Sequence, residues 1–282
     1  MTKSFWPWLI CLVLVAANIV VWFGFARANR ATQASSGNQT QAIDESNLLT
    51  QDRPQPLATT SGKPTVFVPI LMYHYIRDYT DTTDPLGINL SVSPATFKKQ
   101  LETLKAAGYQ TISLNNFAVK KYGSKPVILT FDDGYDDHYT AALPVLQQEN
   151  MTGTFFIVRN FVGTKGYMTR TQIQSLEQAG MEVGAHTIDH KNLATMEYEA
   201  AVNDISLSLA GTDNVFAYPS GKYNATTLDI VSGLKIAASV TTNEGVATDK
   251  SSLYELPRVR VKEGTDIIKD ISEQTALAKK GN

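Results

Sequence analysis

The sequence predicts an α/β fold: one (β/α) barrel behind an apolar amino-terminal segment and a polar stalk. Three observations predict it. From residue 66 onward short apolar runs alternate with amphipathic ones, which implies a parallel sheet covered by helices. Eight strand candidates lie between residues 66 and 261, and that number suits a barrel better than an open sheet. Residues 5–26 are almost unbroken in apolar character, with Asn18 the clear exception and no charge inside. The composition agrees. A chain of 282 residues, 43% hydrophobic and 18% charged, can bury a full core without staples and is too apolar for a mainly disordered protein. A net charge of −2 argues against a nucleic-acid partner. The single cysteine, Cys11, allows neither an intramolecular disulfide nor a cysteine-rich zinc site, so any metal must be held by His, Asp or Glu.

The amino end divides into two parts. Residues 1–27 read as a transmembrane signal anchor, since about 20 apolar residues span a bilayer as a helix, and Trp6, Trp8 and Trp22 lie near its ends, where interfacial aromatics belong. A cleaved signal peptide is the alternative, with Ala26-Arg27-Ala28 as a loose small-x-small site, but the run exceeds the roughly 7–15 residues of a signal core. Residues 28–65, rich in Ala, Thr, Gln, Ser, Asn, Gly and Pro, read as a flexible linker. Residues 66–282 form the folded domain, which is mildly acidic.

Within it, residues 66–72 read as the first buried strand. Ser93 and Pro94 open a helix as N-cap and first-turn proline, Phe97, Leu101 and Leu104 supply its apolar face, and Gly108 stops it. Lys98, Lys99, Glu102 and Lys105 read as its solvated face. The remaining strand candidates are residues 110–114, 127–131, 154–158, 181–185, 215–218, 237–241 and 256–261. Helical patterns fall at 139–149, 170–178, 197–209, 226–236 and 266–279. In such barrels the chemistry gathers at the carboxyl ends of the strands, so polar residues that end an apolar strand are the suspects.

Three strand ends qualify. Residues 127–131 run into Asp132-Asp133-Gly134, and adjacent carboxylates there are costly unless something uses them. Strand alternation would put the two on different sides; a tight Asp-Gly turn is the plainer reading. Residues 181–185 run into His186 and His190, four apart, which can converge on one metal if the chain coils. With a carboxylate from another strand end they make a two-His-one-carboxylate site that leaves positions open for water and substrate. Residues 67–72 run into His74. His138 follows the aspartate segment and reads as structural support.

These segments resemble a known family. Residues 130–134 (TFDDG), then His186 and His190, then residues 216–221 (FAYPSG) are similar to the ordered motifs of the polysaccharide deacetylase domain, the NodB-homology type of carbohydrate esterase family 4. Residues 69–74, 88–94 and 108–109 resemble its poly-N-acetylglucosamine deacetylase branch. The likeness spans 66–261 and implies a distorted (β/α) barrel. It implies that Asp133, His186 and His190 bind a divalent metal, most often Zn2+, with Ni2+ or Co2+ as alternatives. Asp132 would be the general base, and Pro219 and Ser220 would face the substrate, with the Ser220 N–H at the oxyanion. Most of the family takes its general acid from a late histidine. This chain has none after His190, and His74 matches the early histidine of the biofilm branch. The arginine that would orient the base is absent from the third motif, where Ala217 stands; Arg258 and Arg260 are the available substitutes. The family's fourth motif is not recognisable at 239–244.

The implied reaction is metal-dependent removal of N-acetyl groups from an extracellular N-acetylglucosamine polysaccharide, with release of acetate. A bound metal lowers the pKa of water from about 15.7 toward 7, Asp132 takes the proton, and His74, with a near-neutral pKa, protonates the departing amine. The alternatives are an O-acetyl esterase acting on a xylan-like glycan and a membrane-tethered carbohydrate-binding module that has lost catalysis. A two-carboxylate glycosidase is disfavoured, because Asp132 and Asp133 are adjacent rather than about 5–10 Å apart across a sugar. The expected partners are an acetylated glycan and, through the amino-terminal helix, the cell membrane, with the catalytic domain outside or secreted after cleavage.

Overall fold

A computed structural model describes residues 64–281. The expected membrane segment (1–27) and nearly all of the expected linker (28–65) lie outside the described residues. Among the described residues, no helix is long and apolar enough to cross a membrane.

The chain opens with β1 (Phe67–Val68), β2 (Ile70–Tyr73), β3 (Tyr75–Ile76), α1 (Pro85–Leu90) and β4 (Ser91–Val92). It continues through α2 (Pro94–Ala106), β5 (Gln110–Thr111), α3 (Leu114–Ala118) and β6 (Pro126–Phe131). A π-helical turn over His138–Ala142 leads into α4 (Leu143–Glu149) and β7 (Thr154–Ile157). Then come α5 (Arg170–Gln178), β8 (Glu182–Ala185), α6 (Tyr198–Ser208), β9 (Val215–Ala217) and α7 (Ala225–Gly233). The chain closes with β10 (Ala238–Glu244), β11 (Ala247–Thr248), β12 (Leu256–Arg260) and α8 (Ile267–Gly281).

Strands β2, β12, β10, β9, β8, β7 and β6 pair in that order, all parallel, and β6 returns to β2 with Leu71 opposite Leu129. The sheet is therefore a closed ring of seven strands. The expected eighth strand, 110–114, is cut short. Ser113 accepts a hydrogen bond from Asn116 N and caps α3, so only Gln110–Thr111 stay extended, appended to the start of β6 outside the ring. The helix expected over 139–149 is also divided. Pro144 has no N–H to continue the ladder, and the turn before it widens to π geometry.

Alternation along the strands sorts the core. Ile70, Ile128, Phe156, Val215, Ala217, Ala238, Val240 and Leu256 belong to the barrel interior. Leu71, Leu129, Phe131, Phe155 and Val259 pack outward with residues of α2, α4 and α8. Each fully buried side chain of this size contributes roughly 1.5–3 kcal/mol. The interior is filled to contact: a Cβ on Gly184 would meet the Phe156 ring at 2.5 Å. Alternation carries this inward set upward. Residues 70, 72 and 74, residues 128, 130 and 132, residues 184 and 186, and residues 256 and 258 continue the interior-facing rows to the mouth of the ring. The face of α2 read as solvated is partly bridging, because Lys105 Nζ reaches the nearly buried Glu149 of α4 at 3.0 Å.

Candidate active site

The strands deliver four polar side chains to one end of the barrel: His74 after β2, Asp132 and Asp133 after β6, and His186 after β8, with His190 one short loop further on. The loops that carry them are bent rather than extended. Asp133 lies at φ 77°, Thr187 at 66° and His190 at 56°, all in the left-handed region that costs a non-glycine residue free energy. With the bend at Asp133 the two aspartates meet different partners: Asp133 faces His186 and His190, and Asp132 faces His74 and Arg258. The 187–190 loop is pinned from several sides. The His190 N–H donates to Thr187 Oγ1 at 3.0 Å, the Ile188 N–H to the buried Asp204 at 2.9 Å, and the Asn160 N–H to the Ile188 carbonyl at 3.0 Å.

Asp133, His186 and His190 converge. Their donor atoms all lie within 4.8 Å of one another, with Asp133 Oδ1 at 3.4 Å from His186 Nε2 and 3.3 Å from His190 Nε2. Donors about 2.1 Å from an ion in tetrahedral coordination stand about 3.4 Å apart, so the spacing fits a divalent metal. The protons agree. His186 Nδ1 donates to the Ala217 carbonyl at 2.7 Å, so in the neutral ring Nε2 presents a lone pair toward the carboxylate, the orientation a metal ligand needs. Burial works against charge on His186, yet the Asp133 hydrogen bond and the two carboxylates outweigh it and raise the imidazole above its ordinary value. Asp133 is buried too, and the histidines nonetheless hold its carboxyl far below the ordinary range. The pocket thus concentrates field where a cation would sit. His190 is the open side, with 30% of its side chain exposed.

Beside this set stands a second cluster. Arg258, fully buried, clamps Asp132 with both terminal nitrogens, at 2.8 Å to Oδ1 and 2.7 Å to Oδ2. It is itself held by the Thr130 hydroxyl at 3.0 Å and the Thr241 carbonyl at 2.7 Å. Burial pushes the Asp132 carboxyl up, and the Arg258 charge and hydrogen bonds overcome that and leave it below the ordinary carboxylate value. His74 Nε2 lies 3.7 Å from Asp132 Oδ2. Burial lowers the His74 imidazole, the two carboxylates pull it up, and Arg258 and Arg260 push it down again. Its net position is below the ordinary imidazole value.

The sequence profile of polysaccharide deacetylases matches residues 119–239. YxkH, a polysaccharide-deacetylase-family protein of Bacillus subtilis, is 34% identical over 209 residues, spanning 70% of this chain and 72% of that one. The chain belongs to the polysaccharide deacetylase family. The Streptococcus pyogenes deacetylase PplD, solved in complex with acetate, superimposes with a TM-score of 0.68 at 30% identity, covering 75% of this chain and 99% of that one. The poly-β-1,6-N-acetyl-D-glucosamine N-deacetylase of Staphylococcus epidermidis is 22% identical over 224 residues, 68% of this chain and 78% of that one.

For a polysaccharide deacetylase the arrangement is compact in its sequence signals. His74, Asp132, Asp133, His186 and His190 are brought together as their strand-end positions suggested. Pro219 and Ser220 form the turn that follows the neighbouring strand β9, just after Ala217, whose carbonyl accepts from His186. Of the two arginines offered as substitutes, Arg258 is the one that meets Asp132; its signal was an arginine at an inward position of an apolar strand. The turn at Ser220 depends on its neighbour. Ser220 lies at φ 52° and Gly221 at φ 66°, and a Cβ on Gly221 would fall 1.9 Å from Thr242 Oγ1. Gly221→Ala is therefore expected to displace this turn and to cost about 2 kcal/mol in a denaturant titration, with acetate release falling alongside.

Proposed function

We propose that this polysaccharide deacetylase removes N-acetyl groups from an N-acetylglucosamine polymer outside the cell, with a divalent ion, zinc first, at Asp133, His186 and His190. The observation that carries the reading is the 3.7 Å approach of His74 Nε2 to Asp132 Oδ2, an acid–base pair beside three convergent metal donors. The likeness to the Staphylococcus epidermidis enzyme supports the sugar. The apolar run at residues 5–26 supports a tether that leaves the domain on the side of a substrate too large to enter.

The bound ion would supply Lewis acidity toward the acetyl carbonyl and the attacking water. Asp132, ionised and fixed by Arg258, takes a proton from that water as its oxygen bonds to the acetyl carbon. The C–N bond breaks, and the departing nitrogen takes a proton from His74. The proton His74 gives is made good by the one Asp132 has received, 3.7 Å away. The second water proton follows as the acid ionises, which leaves acetate and an ammonium sugar.

The test is acetate release by the full chain from β-1,6-linked N-acetylglucosamine oligomers, chitin oligomers, peptidoglycan and O-acetylated xylan. Release from the glucosamine polymers is expected, lost on chelation and restored by one equivalent of zinc. Release from xylan alone, or release indifferent to chelation, overturns the reading.

A further inference from the structure

His138 is a fully buried histidine that the reaction above does not use. Its Nε2 lies 2.6 Å from the main-chain carbonyl of His74. A carbonyl only accepts, so Nε2 carries a proton and donates it. Nδ1 is buried with no hydrogen-bond partner among the described residues. The ring cannot swing away, because it is boxed by Phe131 at 5.6 Å, Phe155 at 5.7 Å and Tyr135 at 5.8 Å between centroids. An imidazole kept in an aromatic box with one nitrogen unsatisfied is costly. The single hydrogen bond it makes is to the residue that carries the proposed acid.

The neighbourhood explains why that bond matters. The barrel ladder holds the chain through Tyr73, whose carbonyl accepts the Asp132 N–H at 3.0 Å. At His74 the chain leaves the ring, and β3 pairs with β4 instead. Two residues later Asp137 takes over: its Oδ2 accepts the Ile76 N–H at 3.2 Å and the Arg77 Nε–H. His138 secures His74, the first of the two residues between these anchors. Every one of these partners lies on the segment 132–138, which also carries Asp132.

We infer that His138 is a positioning residue for the reaction. Through the His74 carbonyl it fixes His74 at its working distance from Asp132, so acid and base are spaced by one continuous stretch of chain. The inference rests on His74 as the acid, and its test separates the two. The substrates are a β-1,6-linked N-acetylglucosamine oligomer, whose amine must be protonated to leave, and 4-nitrophenyl acetate, whose phenolate leaves without a proton. His138→Phe keeps the aromatic ring and loses the donor; His138→Gln keeps a donor of similar reach. With the full-length chain, His138→Phe is expected to lower kcat on the oligomer about 100-fold with KM little changed, as loss of general-acid assistance would. Turnover of the aryl ester and zinc stoichiometry should hold, and His138→Gln should recover most of the loss. In a His74→Asn background His138→Phe should cost nothing further, because the two act as one unit. Should His138→Phe fail to fold on a thermal melt, His138→Leu is the second donor-less variant, and His138→Gln must still be active. Equal losses on both substrates, or a further loss in the His74→Asn background, overturn the positioning role. Unchanged oligomer turnover in His74→Asn alone overturns the acid assignment and the positioning role with it.

Discussion

Asp132→Asn is expected to lower acetate release by about 10³-fold or more while the chain still binds zinc. The magnitude follows from removing a general base, which contributes roughly 10²–10⁴-fold. Metal retention follows from the separation of tasks: Asp132 spends both oxygens on Arg258, and the three convergent donors lie on other residues. The substitution also leaves the Arg258 charge buried without its counter-ion, which costs about 3–5 kcal/mol. Activity and zinc content must therefore be measured well below the lowered melting temperature. An Asp132→Asn protein that folds, binds zinc and retains more than a tenth of the parent rate would remove Asp132 as the base.

Arg258→Gln is expected to act on stability, rate and pH together. Leaving Asp132 buried without its cation costs about 3–5 kcal/mol by the same argument. The pH effect has a definite sign. In the parent, burial pushes the Asp132 carboxyl up and Arg258 more than offsets it. Without Arg258 the strongest influence opposing burial is gone and only His74 and His186 still pull the carboxyl down, so it titrates higher than in the parent, and a base protonated at mildly acidic pH cannot take a proton. The acid limb of kcat/KM should therefore move to higher pH. The stability profile should change with it. The parent's depressed carboxyl contributes stability above the ordinary carboxylate range, and that is lost as pH falls through the folded value; the variant, whose carboxyl titrates higher, has less of it to lose. A pH–rate profile with an unmoved acid limb would show that Arg258 does not tune Asp132.

The strand ends were the legible part of the site. His74, Asp132 and His186 each terminate a run of buried apolar residues, and a polar group in that place is visible in one dimension. The geometry between them was not. Asp and His at 133 and 190 carry no local mark of a left-handed backbone. The choice between Arg258 and Arg260 stayed open in the sequence for a different reason: the partner lies 126 residues away, and only ring closure brings β12 near β6. The count of strands failed at Ser113, where a capping hydroxyl outweighed the apolar run 110–114 and turned it into the start of a helix. His138 was legible as support but not as support for His74, because a side-chain bond to a distant carbonyl has no sequence signature.

The clamp on Asp132 has a consequence for the order in which the enzyme comes into being. The carboxylate belongs to the first half of the chain, and its guanidinium to the last strand before α8. A chain growing from its amino end carries the base long before it carries the group that keeps the base ionised. Until residue 258 has emerged and β12 has docked, Asp132 has no reason to stay buried, and the barrel has a gap where the ring should close. Fragments ending before Arg258 thus lack the cation that clamps the proposed base.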